Sequence, residues 1–426
     1  MKRTLAEWLD YQLRTHPQSI AMGLDRVREV ANRLNIGRPG EQVIIVGGTN
    51  GKGSTVAFIE AIARAAGLRV GAFTSPHLLR YNERIRMDGA DASDETIVAA
   101  FERIEAARLR AGEEPVPLTY FEFGTLAALL ILEAAQPDIA ILEVGLGGRL
   151  DAVNIVDADV AVITTVDLDH QEYLGPDRET IGADKAGILR AGKPCVLGEK
   201  DPPSSVLRRA YEIGAPAIRG HSDYLIDVLE EGWRWREPGF ELELPMPALA
   251  APAQLDNAAA AIAALRALPI ELPETAFAEG VACARVAGRL QRVADSPEIV
   301  LDVGHNPQAM RQIEAWLRAH PKTTLAVFSA LADKDIAELS RTLAPLIRFW
   351  HVGGIHDAGP RGLSGEQVAQ RLAGVPAERV QAHETVALAV AAARAAAGPD
   401  ERVLIFGSFH TVADAIKALA SHADGL

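Results

Sequence analysis

The sequence predicts an α/β protein of two domains. A mostly parallel, P-loop-type sheet domain is expected over residues 1–286, and a smaller Rossmann-like α/β domain over 287–426. Three observations carry this. Apolar runs of strand length alternate with helical patterns along most of the chain, as in a largely parallel sheet. The alternation breaks at 223–250 and restarts at 299, so the boundary is expected around 285–298. The length of 426 residues suits two or three domains at roughly 100–200 residues each.

The elements follow in order. "MKRTLAEWLDYQL" is amphipathic, with Leu5, Trp8, Leu9 and Leu13 expected on one face. "VIIV" reads as a buried strand that runs into a glycine-rich loop and then a helix over about 54–66. "RVGAFTS" is the next strand, with helices expected at about 94–111 and 121–135. "DIAILEVG" (138–145) and "ADVAVITTVD" (158–167) are buried strands, followed by a helix near 178–191 and the strand "KPCVLG". "DYLIDVLEEGWRWREPGFELELP" alternates like antiparallel β, and a helix over about 254–268 follows it. The second domain is expected to use "IVLDVGHNP", "TTLAVFSAL", "IRFWHVGG" and "RVLIFGSF" as strands.

Composition excludes some classes of function. A formal net charge of −14 argues against a nucleic-acid surface, which needs a basic patch. No apolar run reaches the ~18 residues of a membrane span, and the N-terminus lacks a signal-peptide core, so the expected address is the cytoplasm. The two cysteines, Cys195 and Cys283, read as free thiols.

Chemistry concentrates at predicted strand ends. "GGTNGKGST" (47–55) is a strand–turn–lysine–helix sequence. Its spacing departs from the common G-x-x-x-x-G-K-[ST] loop: Gly47 and Gly51 are separated by three residues, and Gly53 intervenes between Lys52 and Ser54. Such a turn aims backbone N–H groups and a helix dipole at one point, and Lys52 adds a mobile charge suited to phosphates. Ser54 or Thr55 is placed to contact phosphate or Mg²⁺. In "ILEVGLGGRLDAVN" (141–154), Glu143 ends a strand and either pairs with Arg149 or offers a hard acceptor to Mg²⁺. In "TTVDLDHQEYLG" (164–175), His170 follows a strand beside Asp167 and Asp169 and is either structural or part of the same edge. Ser75 in "TSPHL" either forms a Ser-Pro turn or completes a metal shell. Lys185 in "DKAGILRAGKP" is by default a surface lysine. "LDVGHNPQA" and "GSFHTVAD" put Asp302, His305, Ser408 and His410 at strand ends of the second domain.

"GTNGKGS", "TSPHL", "EVGLGGRLDAVN", "DHQEYLG", "KAGI" and "DVGHNP" together resemble the folylpolyglutamate synthase and dihydrofolate synthase family, a branch of the Mur ligase superfamily. The matches occur in the family's order and span nearly the whole chain. The resemblance implies an ATPase domain and an ATP-dependent ligase that adds L-glutamate to a pterin acid or folate through an acyl phosphate. Both synthase activities are expected, in a monomer. Thr49, Asn50, Gly51, Lys52, Gly53 and Ser54 would hold ATP, with Asn257 on the adenine side and Arg289 and Asp302 reaching in from the C-terminal domain. Ser75, Glu143 and His170 would surround Mg²⁺, and a carbamylated Lys185 would help hold a second Mg²⁺. Lys52, His170 and Lys185 form the implied catalytic set. "MGLDRV" and "TYFEFGTLAAL" resemble segments lining the pterin pocket. The implied substrate set is Asp25, Arg26, Phe121 as the stacking ring, Gly147, Gly148, Arg149, Asp151, His305 and Ser408. The family usually has Pro before the Gly-Arg of "AGRLQ"; here it is Ala287.

Other readings fit less well. Muramyl-peptide ligases carry a nucleotide-sugar domain before this loop, where only 46 residues precede Gly47, and their lysine is followed by Thr-Thr. A dinucleotide oxidoreductase requires G-x-G-x-x-G after the first strand, a register that "GGTNGKG" does not meet. An NTP-dependent switch needs no amino-acid pocket and no second ATP-contacting domain.

Overall fold

The computed structural model describes residues 3–16 and 21–423. The chain divides into two compact units. The first runs to Ala248 and resumes over Leu255–Arg285; the second takes Leu249–Gln254 and everything from Val286 onward.

The first unit is built on β1 (Gln42–Gly47), β2 (Val70–Phe73), β3 (Ile85–Met87), β4 (Ala90–Asp91), β5 (Ile139–Glu143), β6 (Val160–Ile163), β7 (Cys195–Leu197) and β8 (Ala217–Arg219). They lie in the order β4-β3-β2-β5-β1-β6-β7-β8. The six strands from β2 to β8 in that order are parallel, and β3 and β4 add an antiparallel edge. Strands β5 and β6 are buried along their length because their Val, Ile, Leu and Ala runs are covered on both faces. The helices are α1 (Leu5–Thr15), α2 (Asp25–Leu34), α3 (Lys52–Ala65), α4 (Asp94–Arg108), α5 (Tyr120–Ala135), α6 (Gln171–Leu174), α7 (Arg178–Lys185), α8 (Ser204–Ile213), α9 (Gln254–Arg266) and α10 (Glu274–Cys283). α3 is buried on several sides: Val56, Phe58, Ile59 and Ile62 are fully covered, each worth about 1.5–3 kcal/mol of burial. A separate antiparallel sheet, β9 (Leu225–Val228), β10 (Trp233–Glu237) and β11 (Phe240–Leu244), buries Trp233 and Trp235.

The second unit has β12 (Gln291–Asp295), β13 (Glu298–Asp302), β14 (Thr324–Phe328), β15 (Phe349–Gly353), β16 (Val380–His383) and β17 (Arg402–Phe406), ordered β12-β13-β17-β14-β15-β16. All but β12 are parallel. Its helices are α11 (Pro307–Ala319), α12 (Ile336–Leu343), α13 (Gly365–Arg371), α14 (Val386–Ala396) and α15 (Phe409–Ala423). Phe328, Trp350 and Phe406 form the aromatic centre of its core, with ring centroids 5.0–5.9 Å apart.

Four local expectations need correction. Leu13 is 65% exposed, while Gln12 takes its place on the buried stripe with Leu5 and Trp8. At ~100° per residue, Leu5, Trp8 and Gln12 cluster, and Leu13 is rotated away from them. The helix expected over 178–191 stops at Lys185 and gives way to a 3-10 turn over Ala186–Ile188. There Gly187 O accepts from Asn154 Nδ2, 33 residues away, at 3.1 Å, and Ile188 O accepts from the nearby Arg190 guanidinium at 3.2 Å, so side-chain donors replace helical ones. The strand expected over 158–167 ends at Ile163, because Thr164, Thr165 and Asp167 bond to the glycine loop instead. The helix after that loop starts at Lys52, two residues early, with Gly51 as its left-handed N-cap.

Candidate active site

In the parallel sheet the loops after β1, β2, β5 and β6 emerge at one edge. This is where α/β folds bind ligands. The glycine loop leaves β1 and is tied to the end of β6. Thr49 N donates to Thr165 O at 2.7 Å, Asn50 N to Thr165 Oγ1 at 3.2 Å, and Thr164 Oγ1 to Asn50 O at 2.6 Å. Thr49 Oγ1 donates to Asp167 O at 3.1 Å and accepts from Asp167 N at 3.0 Å. Gly48 (φ +146°) and Gly51 (φ +89°) are both left-handed, and a Cβ would collide with the Thr164 hydroxyl at Gly48 and with Asn257 Oδ1 at Gly51. Glycine is therefore required at both. Asn257 thus lies against the loop.

No side chain caps α3. Its first-turn N–H groups and the positive end of its dipole are left for an anion. Lys52 Nζ folds back onto Gly48 O at 3.1 Å and Thr49 O at 3.2 Å. Ser54 and Thr55 are buried, and the Thr55 hydroxyl has no hydrogen-bond partner.

Glu143 ends β5 beside Val46 of β1 and is 5% exposed. Its Oε2 accepts from Ser75 N, in the loop after β2, at 3.0 Å. A Cβ on Gly53 would stand 3.8 Å from Glu143 Oε1, so the start of α3 and this carboxylate face each other across one short gap. Arg149 does not pair with Glu143; its Nε lies 3.5 Å from Asp184 Oδ2.

His170 follows β6 in a left-handed conformation (φ +50°) at the start of α6, half-exposed, with Nε2 3.9 Å from Asp169 Oδ1. Lys185, at the end of α7, is not a surface lysine: it is 3% exposed. Burial, then the Lys52 charge, pushes its ammonium down to about 7, against opposing pulls from Asp169, Asp184 and Asp151. The glycine loop after β5 lies on this helix end. A Cβ on Gly148 would stand 3.0 Å from Lys185 Cα, and one on Gly147 would run into Asp184. Both glycines therefore serve this contact. Asp151, 4% exposed, accepts from Leu146 N at 2.9 Å and Val153 N at 3.0 Å and shapes the same loop. Burial raises its carboxyl to about 7 despite these backbone donors.

Phe121 lies in the first turn of α5, tilted against Phe73 at 6.0 Å. A Cβ on Gly145 would stand 2.6 Å from its ring, so the ring lies on the backbone at the end of β5. Asp25 opens α2 and is exposed. Arg26 pairs with Glu122 at 3.0 Å and donates to Ala21 O at 2.7 Å. Sequence reading missed Glu122, although "TYFE" (119–122) is a capping-box pattern, and Thr119 and Glu122 do form that box. It also missed Arg86 on β3, whose guanidinium pairs with Glu60 of α3 at 2.8 Å; no local pattern connects those two positions.

The second unit gathers its own group. Asp302 ends β13, buried, and accepts from Leu290 N at 2.9 Å and Gly304 N at 2.7 Å. Burial raises its pKa while Arg289 opposes the rise. The Arg289 guanidinium sits 5.5 Å over the Phe409 ring, and the His305 ring centroid lies 6.4 Å from the same ring. His305 Nδ1 is 2.9 Å from Val303 O. Ser408 is buried and works as a cap, accepting from Thr411 N at 3.0 Å. His410 Nδ1 lies 3.1 Å from Asp357 Oδ1.

An uncapped helix after a glycine loop, facing a strand-end carboxylate, makes the first unit a phosphate-binding α/β domain of the kind found in ATP-dependent ligases. Residues 46–265 match the Mur ligase middle domain, and 288–409 match the Mur ligase glutamate ligase domain. The dihydrofolate synthase/folylpolyglutamate synthase of Escherichia coli K12 is 43% identical over 424 residues, covering 99% of this chain and 97% of that one. A solved structure of E. coli FolC in complex with DHPP and ADP superposes with a TM-score of 0.93 at 43% identity, covering 99% of each chain. A bifunctional folylpolyglutamate synthase/dihydrofolate synthase with Mn, AMPPNP and L-glutamate bound gives 0.89 at 43% identity, covering 98% of each. The chain therefore belongs to the dihydrofolate synthase/folylpolyglutamate synthase family of Mur ligases.

Proposed function

We propose that this protein uses ATP to join L-glutamate to dihydropteroate and to reduced folates, making both dihydrofolate and folylpolyglutamates. Near-full-length identity of 43% to a bifunctional synthase supports this most strongly. One solved relative holds DHPP and ADP and another holds Mn, AMPPNP and L-glutamate, which is the set of ligands this activity requires.

The acid's carboxylate cannot be attacked directly by an amine, because oxide is a poor leaving group. Its oxygen attacks the γ-phosphorus of ATP and ADP departs, giving an acyl phosphate. The glutamate amine attacks the acyl carbon and loses a proton, and inorganic phosphate leaves as the amide forms. The loop amides from Thr49 to Ser54 and Lys52 hold the phosphates, with Asn257 on the adenine side. In the second unit, Arg289 and Asp302 are assigned to ATP, and His305 and Ser408 to glutamate. Phe121 stacks on the pterin with Asp25 and Arg26 beside it, and Gly147, Gly148, Arg149 and Asp151 complete the substrate contacts.

The donors fit Mg²⁺. Among the described residues no three His, Cys, Asp or Glu side chains form a ready cage. Mg²⁺ characteristically takes one or two carboxylates and completes its shell with water and substrate phosphate. Glu143, Ser75 and His170 supply such a partial set. Bound there, Mg²⁺ neutralises phosphate charge and polarises the γ-phosphate. A buried lysine held near 7 is partly neutral at physiological pH, so its amine is available to CO₂. Carbamylation turns Lys185 from a cation repelled by Lys52 into an anion attracted to it and able to hold a second Mg²⁺.

The test is phosphate release with purified protein. Release is expected only when a pterin acid and glutamate are both present, with product chain length read by mass spectrometry. Release with ATP alone at the same rate would refute the ligase assignment. Product from folates but none from dihydropteroate would restrict it to polyglutamylation.

A further inference from the structure

Arg86 and Glu60 form an ion pair that no part of the proposed chemistry uses. Glu60 lies on α3, two turns beyond Lys52, and is 6% exposed. Arg86 lies on β3, opposite Ala72 of β2. Its Nη2 meets Glu60 Oε2 at 2.8 Å, and Nε meets the same oxygen at 3.2 Å. The other arm of the guanidinium points elsewhere: Nη1 donates to Thr74 Oγ1 at 3.0 Å and to Glu83 O at 2.9 Å. Thr74 N in turn donates to Arg84 O at 2.8 Å, so the loop that carries Ser75 is clasped at its root.

These contacts form a chain from the middle of α3 to the carboxylate that faces its start. It runs from Glu60 through Arg86 to Thr74, passes to Ser75 and crosses from Ser75 N to Glu143 Oε2, which stands across a short gap from Gly53. α3 is held at its start by the glycine loop and in its middle by the guanidinium. The planar fork of arginine bonds two directions at once, which a lysine ammonium on a flexible stem does not reproduce.

We propose that Arg86 is a positioning residue. By bracing α3 against the Ser75 loop it fixes the spacing between the phosphate cradle and the Ser75–Glu143 pair, and so sets the affinity for the divalent cation that accompanies the nucleotide. This rests on the proposed metal role of Ser75 and Glu143.

Mn²⁺ binding, followed by electron paramagnetic resonance with AMPPNP present, tests it without turnover. Arg86→Gln is expected to weaken Mn²⁺ binding about tenfold, as loss of an outer-shell partner does. Glu60→Gln should do the same, and the double variant should lose little more than either single one. AMPPNP affinity without metal should change little. Arg86→Lys and Thr74→Val are milder and guard against failure to fold; each should weaken Mn²⁺ binding severalfold. Parent-like Mn²⁺ affinity in the folded variants, with only a lower melting temperature, overturns the proposal. Glu143→Gln separates the two layers. If it loses Mn²⁺ while the Arg86 variants do not, the brace is wrong and the metal assignment stands. If Glu143→Gln also binds normally, the metal assignment fails and takes the brace with it.

Discussion

Helices α3 and α11 both begin where a buried parallel strand ends, yet they begin differently. α11 is capped by its own sequence: Asn306 accepts from Ala309 N at 3.0 Å, and Pro307 opens the first turn. α15 is treated likewise by Ser408. α3 has a left-handed glycine at the N-cap and no side-chain acceptor. A cap satisfies the first-turn N–H groups within the fold and blunts the dipole; leaving them uncapped reserves both for an external anion. The charges separate the two regions less sharply, because Asp302 before α11 is also raised by burial. The edge around α3 holds a lysine pushed down to about 7 and a carboxyl raised to about 7. Displaced pKa values of that kind concentrate at functional sites. On the proposed function the phosphates sit on α3, and the cap that Asn306 gives α11 serves stability.

Four substitutions sharpen or break this contrast. Lys52→Ala is expected to lower ligation at least about 100-fold with the fold intact, measured by phosphate release and circular dichroism; near-parental turnover would remove the loop from the chemistry. Lys185→Ala should reduce activity about 10–100-fold, with part of the loss restored by added short carboxylates if a carbamate is what is missing. An intact-mass spectrum that shows a bare lysine, together with failure of rescue, would count against carbamylation. Asn306→Ala, by contrast, should cost about 1 kcal/mol of stability in denaturant melts and leave the KM for ATP near its parental value; a large KM effect would mean that a capped start also binds nucleotide.

Asp151→Asn is read as a pH dependence of stability, with no change in activity required to see it. The folded carboxyl at about 7 lies above its ordinary 3.8, so the folded state holds this proton more tightly. Its contribution to stability is complete below the unfolded pKa and is lost as pH rises through about 7. Asparagine does not titrate. The stability difference should therefore shift toward the variant from about pH 4 to about pH 7 and stay flat above. A difference independent of pH would mean that Asp151 is ionised throughout.

Much of the architecture was legible because it is written locally. Strand-length apolar runs, a glycine loop and acidic or hydroxyl residues at strand ends are contiguous patterns, and Lys52, Ser75 and Glu143 lie at the edge those patterns predicted; Asn257, suggested by the resemblance alone, lies against the same loop. What sequence reading missed depends on distant partners. Leu13 was assigned to the buried face because leucine is apolar, but the stripe of α1 passes through Gln12. The carbonyls that would extend the helix to 191 are taken by side chains, among them Asn154, which lies outside the helical pattern. The burial of Lys185 could not be read from "DKAGI", because it comes from the tertiary packing around that helix end, including the loop bearing Gly148. The pairing of Arg86 with Glu60 spans 26 positions and two elements.

On the proposed function, this edge converts a pterin carboxylate into an acyl phosphate that glutamate then captures. Dihydropteroate carrying ¹⁸O in its carboxylate tests that most directly, with the released phosphate examined by mass spectrometry. The account predicts one ¹⁸O in each phosphate formed during ligation. Phosphate free of label, with amide product still accumulating, would contradict it.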